Sequence, residues 1–513
     1  MFSYSRTAWI PGFRKEIVAI APTRVPVGRN ADDTVACKEQ AVAPDARAGY
    51  FPRVKARLVD RWLDAVVAWS GSWIVFSTIL SGLVVWAFLG IRYHDNLQWQ
   101  ALISDIQAIL SYVFDSFLVR QQTNAYEDLM NGAAQLRSRG ITHERTLRKL
   151  VGRVKEEDLD RLVSLKDQVD PAMTGFTLDL PEESWLNRIA SVVSKVLGHL
   201  VTIVIYWTCI IVWLGFGPAN GWSNTWQLNI NSATSALMVF VFAFIANIRE
   251  RHANYIRRCL DAVFQVDAAL EDILRSLTDD QQANIAVVIP AQKVNVVQTV
   301  IFYYADVVGT LVGIIMLAIV LMVWLAIGPV MQFNDNWWLF IGTYAGLVGM
   351  NDGFVLRNTQ SKLSQFEDDQ FCHMDQQDAK LLSLVRQANG DRVSPATHKV
   401  DITRRISFAT AKVCAHEITV VAGFIILLGL ITGASVMKWS TTGQLICNVP
   451  PSIIESFFML ILITGHNYAD EERRNELRNV YLRRLELLGL AHRIQAAQTA
   501  VVPTLPTTTQ SVV

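Results

Sequence analysis

The stretch GPANGWSNTWQLNIN, residues 217–231, joins two long apolar runs of the chain. It is rich in Trp, Asn and other polar side chains, whereas the runs on either side carry very few charges. A helix rises about 1.5 Å per residue, so about 20 apolar residues cross the roughly 30 Å hydrocarbon core of a membrane. The stretch is therefore predicted to be a short loop between two transmembrane helices.

The rest of the chain repeats this alternation of long apolar runs and polar segments. Of its 513 residues, 51% are hydrophobic and 18% are charged, and that charged fraction is low for a soluble protein. Apolar runs of about 20 residues predict eight spans, at residues 66–90, 99–120, 191–216, 226–247, 297–328, 337–357, 409–436 and 444–465. The predicted fold class is an all-α polytopic membrane protein with eight transmembrane helices.

The eight spans pair into four helical hairpins that resemble one another. The first helix of each hairpin ends in a similar run, namely VVWAFLG, IVWLGFG, MVWLAIG and LLGLITG, with last residues Gly90, Gly217, Gly328 and Gly433. Each run leads into a short loop comparable with residues 217–231. Because every unit holds an even number of spans, all four face the same way, and the repeats are predicted to be parallel.

The distribution of basic residues predicts the orientation of the chain. Of 46 Lys and Arg, only Arg92 and Lys438 fall in the four short hairpin loops. By the positive-inside rule, both termini and the three long linkers are predicted to be cytosolic. The first 60 residues show no pattern of a cleavable signal peptide, and the six cysteines lack paired spacing, so a disulfide framework is not expected.

The linkers between hairpins show helical periodicity, as in YIRRCLDAVFQVDAALEDILRSL at residues 255–277. They are predicted to be amphipathic helices that pack under the membrane domain. The predicted cytosolic parts are an N-terminal segment at 1–60, largely disordered, linkers at 131–185, 256–293 and 363–403, and a C-terminal helix and tail at 471–513. The predicted hairpin repeats lie at 61–130, 186–255, 294–362 and 404–470.

The second hairpin carries a family resemblance. WSNTWQLNIN at residues 222–231, followed by an apolar helix ending in FIANIRER, resembles the low-affinity iron permease family, whose small bacterial members read W-x-D-T-W-Q-L-x-I-N. The likeness extends over residues 60–490, in the four-repeat form of the fungal low-affinity Fe(II) permeases. The fourth repeat keeps only Gln444, Leu445 and Asn448 of this pattern. The resemblance implies import of ferrous iron, and of other divalent metals such as Zn, Cu or Mn, across the plasma membrane.

Polar side chains inside the predicted spans are the candidate ligands. An ionisable residue at the centre of a membrane helix costs roughly 2.5 to 3.5 kcal/mol, so such residues are functional candidates. Carboxylate, amide and imidazole groups suit Fe(II), Mn(II) and Zn(II) better than Cu(I). The predicted metal ligands are Asp105, Asp115, His199, Asn229, Asn231, Asp306, Asp352, His416, Glu417 and Glu455.

Most of these candidates have a structural alternative. Asp115 and Asp352 precede Arg120 and Arg357 by five residues, and each could form an ion pair at the inner boundary. The histidines could form an interhelical hydrogen bond or an interfacial pair, and the asparagines could hold helices together. No basic residue lies near Asp105 or Glu455 in the sequence, which favours a functional role for these two acids.

Other motifs favour transport over catalysis. The chain contains no Walker A, G-x-G-x-x-G or H-E-x-x-H pattern, so enzymatic activity, a prosthetic group and nucleic-acid binding are not expected. The membrane potential supplies about 4.6 kcal/mol per 100 mV to a divalent cation, with proton coupling left open. The triplet Cys372-His373-Met374 is expected to be an ordinary linker segment. Two alternative functions stay open, a haem-binding redox protein and a non-transporting scaffold, and assembly into a homo-oligomer within the lipid bilayer is left open as well.

Overall fold

A computed structural model describes residues 15–24, 49–50, 52, 55–93, 96–153, 174–386 and 402–501. Within these residues the chain forms twelve α-helices and two short strands. The helices are α1 (Leu58–Ser70), α2 (Trp73–Tyr93), α3 (Leu97–Val151), α4 (Trp185–Leu197), α5 (Leu200–Gly215), α6 (Asn224–Thr278), α7 (Val296–Val308), α8 (Leu311–Ile327), α9 (Asp335–Arg386), α10 (Ile402–Cys414), α11 (Glu417–Val436) and α12 (Thr441–Val501). The strands are β1 (Ile17–Ala19) and β2 (Val287–Ile289).

The same succession of three helices occurs four times. Each unit starts with a helix of 13 residues, namely α1, α4, α7 and α10. A break of two residues separates it from an apolar helix of 16 to 21 residues, namely α2, α5, α8 and α11. A short loop then leads into a helix of 52 to 61 residues, namely α3, α6, α9 and α12.

Six helices of the described residues are long and apolar enough to cross a membrane, or eight if each bent pair counts as one span. The bent pairs are α4 with α5, at 50°, and α7 with α8, at 65°. The chain is therefore an all-α polytopic membrane protein, as predicted. The single uninterrupted helices predicted at 66–90, 191–216, 297–328 and 409–436 are wrong, because each contains the two-residue break. Gly71, Gly198 and Gly309 end three of the short helices there.

The second helix of each unit is longer than predicted. The predicted boundaries between hairpin and linker at residues 130, 255, 362 and 470 fall inside α3, α6, α9 and α12. Within α6, no Gly or Pro occurs between Ile245 and Leu277, so nothing in the sequence ends the helix at the membrane surface. A helix of 55 residues is about 80 Å long, far more than the roughly 30 Å of hydrocarbon. Span and linker are thus one continuous helix.

The loops start the long helices in the same way. Ser223 Oγ accepts a hydrogen bond from the Trp226 amide at 3.3 Å, and Asn334 Oδ1 accepts one from the Trp337 amide at 3.0 Å. Asn96 and Ser440 stand at the corresponding positions before α3 and α12. Ser and Asn are favoured here because the side-chain oxygen satisfies an otherwise unpaired amide of the first turn.

Stacked indole pairs close three of the four hairpins. The pairs are Trp86 with Trp99, Trp213 with Trp226 and Trp324 with Trp337, with ring centroids 4.4, 3.8 and 4.3 Å apart and planes within 5° of parallel. In the first and third pairs each indole N–H also donates to the other residue's carbonyl, at 2.8 to 3.3 Å. These contacts fix the end of each apolar helix against the first turn of the long helix.

The four long helices form the centre of the molecule. α9 packs against α12, α12 against α6, α6 against α3 and α3 against α9, which makes a closed ring of four helices. The apolar helices lie outside this ring and expose large side chains such as Phe88, Ile211, Met322 and Ile425. Helices that are apolar on all sides and exposed in this way are typical of membrane spans that face lipid.

Beyond the apolar part of the bundle, buried ion pairs join all four long helices. Arg139, Asp267, Asp378 and Arg484 lie 42 or 43 residues after the first residue of their helix. Arg139 pairs with Asp267 at 3.4 Å, and Arg484 pairs with Asp267 and with Asp378. Their equal positions in the four helices show that the helices stay in register about 64 Å from their first residues.

Part of the segment predicted to be disordered is ordered. β1 pairs with β2 in antiparallel fashion, with Ile17 opposite Ile289. Ala21 and Ile289 are almost fully buried at this edge, and the Ala21 amide donates to Ser138 Oγ at 3.2 Å. The apolar residues of β1 pack beside α3, which explains their order. The rest of the segment predicted to be disordered falls largely on residues 1–14 and 25–48, which lie outside the described residues. Residues 154–173 of the first linker, 387–401 of the third linker and 502–513 of the tail also lie outside them.

Candidate functional site

A layer of neutral polar groups lies near the first turns of the central bundle. Ser104, Asn231, Gly342 and Asn448 each lie seven residues after the first residue of their long helix, about 10 Å along it. Asn231 Nδ2 donates to Ser104 Oγ at 2.8 Å. A Cβ added at Gly342 would lie 2.8 Å from Asn448 Nδ2 and 3.5 Å from Ser104 Oγ. We call these four residues the upper level, because all four long helices meet there.

A second layer, of carboxylates, lies deeper in the bundle. Glu455, Asp352 and Asp115 lie 14, 17 and 18 residues after the first residue of α12, α9 and α3, or about 21 to 27 Å along them. Glu455 and Asp115 are 0% exposed and Asp352 is 2% exposed. The three groups are close enough to interact electrostatically. We call these three residues the acid level.

The acids of this level have unsatisfied oxygens. Both carboxyl oxygens of Asp115, both of Glu455, and Oδ2 of Asp352 are buried without a hydrogen-bond partner in the structure. Burying a carboxylate without a partner is costly, so such groups require a proton or a cation nearby. The acid level therefore has the chemistry of a cation-binding or proton-binding site.

The ion-pair alternative for two of these acids does not hold. Arg120 Nε pairs with Asp64 Oδ1 at 2.6 Å, on α1, and not with Asp115. The Arg357 guanidinium donates to the Ala411 carbonyl at 3.0 Å and to Gln360. Neither arginine neutralises the acid five residues before it, so the negative charge at the acid level has no basic partner from these residues.

Two sequence features, on α9 and on α12, shape the surroundings of Glu455. A Cβ added at Gly349 would overlap the Glu455 carboxyl group, so only glycine allows the acid to lie against α9 at this point. Pro450 and Pro451 lie inside α12 just before Glu455. Because proline has no amide hydrogen, the carbonyls of residues 446 and 447, just before Asn448 of the upper level, lack their usual helical donors.

Three further predicted ligands near the first turns differ in their placement. Asn231 is 1% exposed and lies inside the bundle. Asn229 is exposed, and its Oδ1 accepts a hydrogen bond from Gln100 Nε2 at 2.9 Å. Asp105 is buried on α3, one residue after Ser104, and its Oδ2 has no hydrogen-bond partner. Of the three, the structure connects Asn231 to the other groups of the upper level, through its hydrogen bond to Ser104.

The two predicted histidine ligands lie away from the acid level. His199 and His416 occupy the second position of the breaks before α5 and α11, and both are exposed. Each accepts a hydrogen bond at Nδ1, from the amides of Val201 and Ile418 respectively, at 3.2 Å. Ser72 and Thr310 occupy the same position in the other two units. The shared position therefore starts a helix, and the structure does not bring the histidines together with the acids.

The remaining predicted ligands lie on the short helices and their junctions. Glu417 is the first residue of α11, where it pairs with Lys362 Nζ at 3.1 Å and accepts from Asn295 Nδ2 at 2.5 Å. Asp306 is half-buried on α7. Neither residue reaches the acid level through a contact that the structure records. The triplet Cys372-His373-Met374 lies on α9, with the first two residues exposed and Met374 buried, as an ordinary helix segment would place them.

Sequence reasoning missed several groups that the structure places on the bundle axis or beside it. The Tyr304 hydroxyl donates to Asp352 Oδ1 at 2.5 Å. Farther along the long helices, His252 Nδ1 lies 3.0 Å from His466 Nε2 and 3.3 Å from Asp470 Oδ2. The four-repeat alignment could have shown Asn448, because it stands at the position of Asn231. In the described part of the chain, no group of three or more His, Cys, Asp or Glu is arranged to hold a metal ion.

Comparison with known proteins gives one family and two relatives. The model of the family described as "Low affinity iron permease" matches residues 186–294 and 403–502. The chain is 35% identical over 434 residues to the "Low-affinity iron/zinc ion transport protein fet4" of Schizosaccharomyces pombe, covering 84% of this chain and 73% of that protein. It is 32% identical over 467 residues to the "Low-affinity Fe(2+) transport protein" of Saccharomyces cerevisiae, covering 86% and 84%. No solved structure matches the chain.

Proposed function

Because the chain belongs to the low-affinity iron permease family, we propose that it imports Fe(II) across the plasma membrane with low affinity. The observation that carries this proposal is the acid level. Three buried carboxyl groups, with five oxygens that lack partners, lie at the centre of a ring of four helices. Carboxylate oxygens are suitable ligands for a divalent cation, and because the three acids are not arranged to hold a metal ion in the structure, binding requires their side chains to move closer together.

The proposed topology has eight spans in four parallel units, with both termini in the cytosol. Each bent pair then counts as one span, and the break lies near the cytosolic membrane surface. The basic residues support this orientation, since only Arg92 and Lys438 precede the long helices in the hairpin loops. The ends of the long helices, with their buried ion pairs, then project into the cytosol.

The proposed pathway follows the axis of the four long helices. A hydrated ion first meets the upper level, where amide and hydroxyl oxygens replace part of its water shell. At the same depth it passes the carbonyls of residues 446 and 447, which lack their usual helical donors, and it then reaches Asp115, Asp352 and Glu455. Hard oxygen donors accept Fe(II), Zn(II) and Mn(II), and they discriminate weakly among them. Import of Zn(II) and Mn(II), and also of Cu, is therefore part of the proposal.

The charge of the acid level decides how the ion is accepted. Two carboxylates neutralise a divalent cation, and a third ionised carboxylate would leave an uncompensated charge in a medium of low dielectric constant. In the absence of metal, the acids hold protons instead. Metal entry thus displaces protons from the acid level, while the membrane potential, worth about 4.6 kcal/mol per 100 mV for two charges, drives the ion inwards.

Uptake by proteoliposomes tests the proposal. Purified protein is reconstituted, an inside-negative potential is imposed, and uptake of Fe(II), Zn(II), Mn(II) and Cu is compared. Glu455→Gln and Asp115→Asn should abolish Fe(II) uptake at unchanged protein content, whereas Asp369→Asn, at an exposed position on α9, should not. Normal uptake by both acid variants would contradict the pathway.

The haem-binding alternative is not supported by the described residues. It requires His199 and His416 to face a common group, but each caps a separate helix and is exposed. Purified protein without an absorbing chromophore, together with measured metal flux, would separate transport from both the redox alternative and the scaffold alternative.

A further inference from the structure

Of the three acids, only Asp352 is held by a hydrogen bond that the structure records. Tyr304 Oη donates to Asp352 Oδ1 at 2.5 Å. Asp352 Oδ2 has no partner, and neither oxygen of Asp115 or Glu455 has one. The three acids are therefore unequal, since one is oriented and two can turn.

Tyr304 does not belong to the four central helices. It lies on α7, the 13-residue helix that precedes the break before α8. At one end of α7, Gln298 Nε2 donates to Asn358 Oδ1 on α9 at 2.6 Å. At the other end, the Val308 carbonyl accepts from Ser116 Oγ on α3 at 2.6 Å. Contacts on both sides of Tyr304 thus fix α7 to two of the helices that carry acids.

The junction after α7 strengthens this attachment. A Cβ added at Gly309 would lie 2.6 Å from Val119 Cγ1, so the backbone of the break lies directly against α3. The hydroxyl of Tyr304 therefore approaches Asp352 from a support that is fixed at both ends. Its neighbour Tyr303 is 41% exposed and points away from the bundle.

From this geometry we infer that Tyr304 is a positioning residue for the transported ion: it occupies Asp352 Oδ1 and presents Oδ2 as a single, fixed oxygen ligand. Asp115 and Glu455 then adjust around an ion whose place Asp352 sets. This inference rests on the proposed function, because it assumes that a divalent cation occupies the acid level. Partners that orient a metal-binding carboxylate typically change metal affinity by about 10- to 100-fold.

The test is Tyr304→Phe, which removes one oxygen and keeps the ring. Tyr303→Phe is the matched control, because it makes the same change one residue away on the exposed side. Two quantities are measured for both variants and the unmodified protein: Mn(II) binding to the purified protein by electron paramagnetic resonance, and the KM and maximal rate of Fe(II) uptake in proteoliposomes.

Tyr304→Phe should weaken Mn(II) binding and raise the KM for Fe(II) by about 10- to 100-fold, with the maximal rate within about threefold, as expected when binding alone is lost. Tyr303→Phe should match the unmodified protein in both. Equal Mn(II) affinity in the two variants would overturn the inference, as would a lower maximal rate at unchanged KM, which indicates a structural role. Failure of the unmodified protein to take up Fe(II) would instead contradict the proposed function, and the Mn(II) measurement would still decide the role of Tyr304.

Discussion

Gly349→Ala probes the acid level without changing any charge. A Cβ at this position would lie 2.6 Å from Glu455 Cδ and 2.7 Å from Oε2, whereas carbon atoms in contact prefer about 3.5 to 4.0 Å. The carboxyl group must therefore move by about 1 Å. Metal–ligand distances tolerate only about 0.2 Å, and a misplacement of about 1 Å can reduce the rate of a geometry-dependent step by about 100-fold. We expect Fe(II) uptake to fall by about 10- to 100-fold.

The matched control is Gly346→Ala, one turn earlier on the same face of α9. There a Cβ would meet the nearest atoms, Asn448 Oδ1 and the Cys447 carbonyl, at 3.4 Å, which is an ordinary contact. Both substitutions gain the same helix propensity, roughly 1 kcal/mol, so a difference between them reports on what the added methyl group contacts, namely Glu455 in one variant and Asn448 in the other. Uptake is measured in proteoliposomes with equal protein content. Equal initial rates for the two variants would refute the placement of Glu455 at the ion.

Two further predictions concern the upper level and the part of the bundle beyond the acid level. Asn231→Ala should lower Fe(II) uptake several-fold, while Asn229→Ala should leave it unchanged. The reason is that Asn231 is 1% exposed inside the bundle, whereas Asn229 is exposed outside it. Equal losses of uptake in the two variants would contradict the upper level as part of the path. Burial, together with the acids Asp368 and Glu472, raises the pKa of Glu476 from 4.5 to about 9, at a position about 50 Å along α12 and thus beyond the hydrocarbon. The native protein then holds a proton that the unfolded chain releases, so stability is full below pH 4.5 and falls as the pH rises to about 9. In thermal unfolding in detergent, Glu476→Gln should melt at a higher temperature than the unmodified protein at pH 9 and at the same temperature near pH 4.5. An equal difference in melting temperature at both pH values would contradict the raised pKa of Glu476.

Much of the architecture follows from patterns that the sequence displays directly. Apolar runs of about 20 residues and the four similar loops that interrupt them predict membrane hairpins, and the structure contains the corresponding apolar helices and loops. The breaks were not predicted, because each consists of only two residues, such as Gly71 with Ser72 or Ala415 with His416. Two such residues do not lower the hydropathy of a long apolar run enough to divide it. They divide it by capping, since the first residue ends one helix and the second starts the next.

The candidate site was predicted in part. The rarity of acids in apolar runs identifies Asp115, Asp352 and Glu455, because the cost of burial leaves few such residues without a function. The same criterion also selected His199 and His416, which cap helices. Hydropathy gives the depth of a side chain but not the direction in which it points. Tyr304 lies inside the predicted span at 297–328, but it was missed because its hydroxyl group was not counted among the candidate ligands.

The repeated architecture explains why the acid level is asymmetric. At the upper level the four units supply Ser104, Asn231, Gly342 and Asn448 from one register position, so a ring forms there by repetition alone. At the acid level the second unit contributes no carboxyl group, and the three acids come from positions 14 to 18 residues along their helices. An ion on the axis therefore meets carboxylates from three sides and at two depths one helical turn apart. Such an arrangement suits a cation that must bind weakly and move on, because no single plane of ligands encloses it.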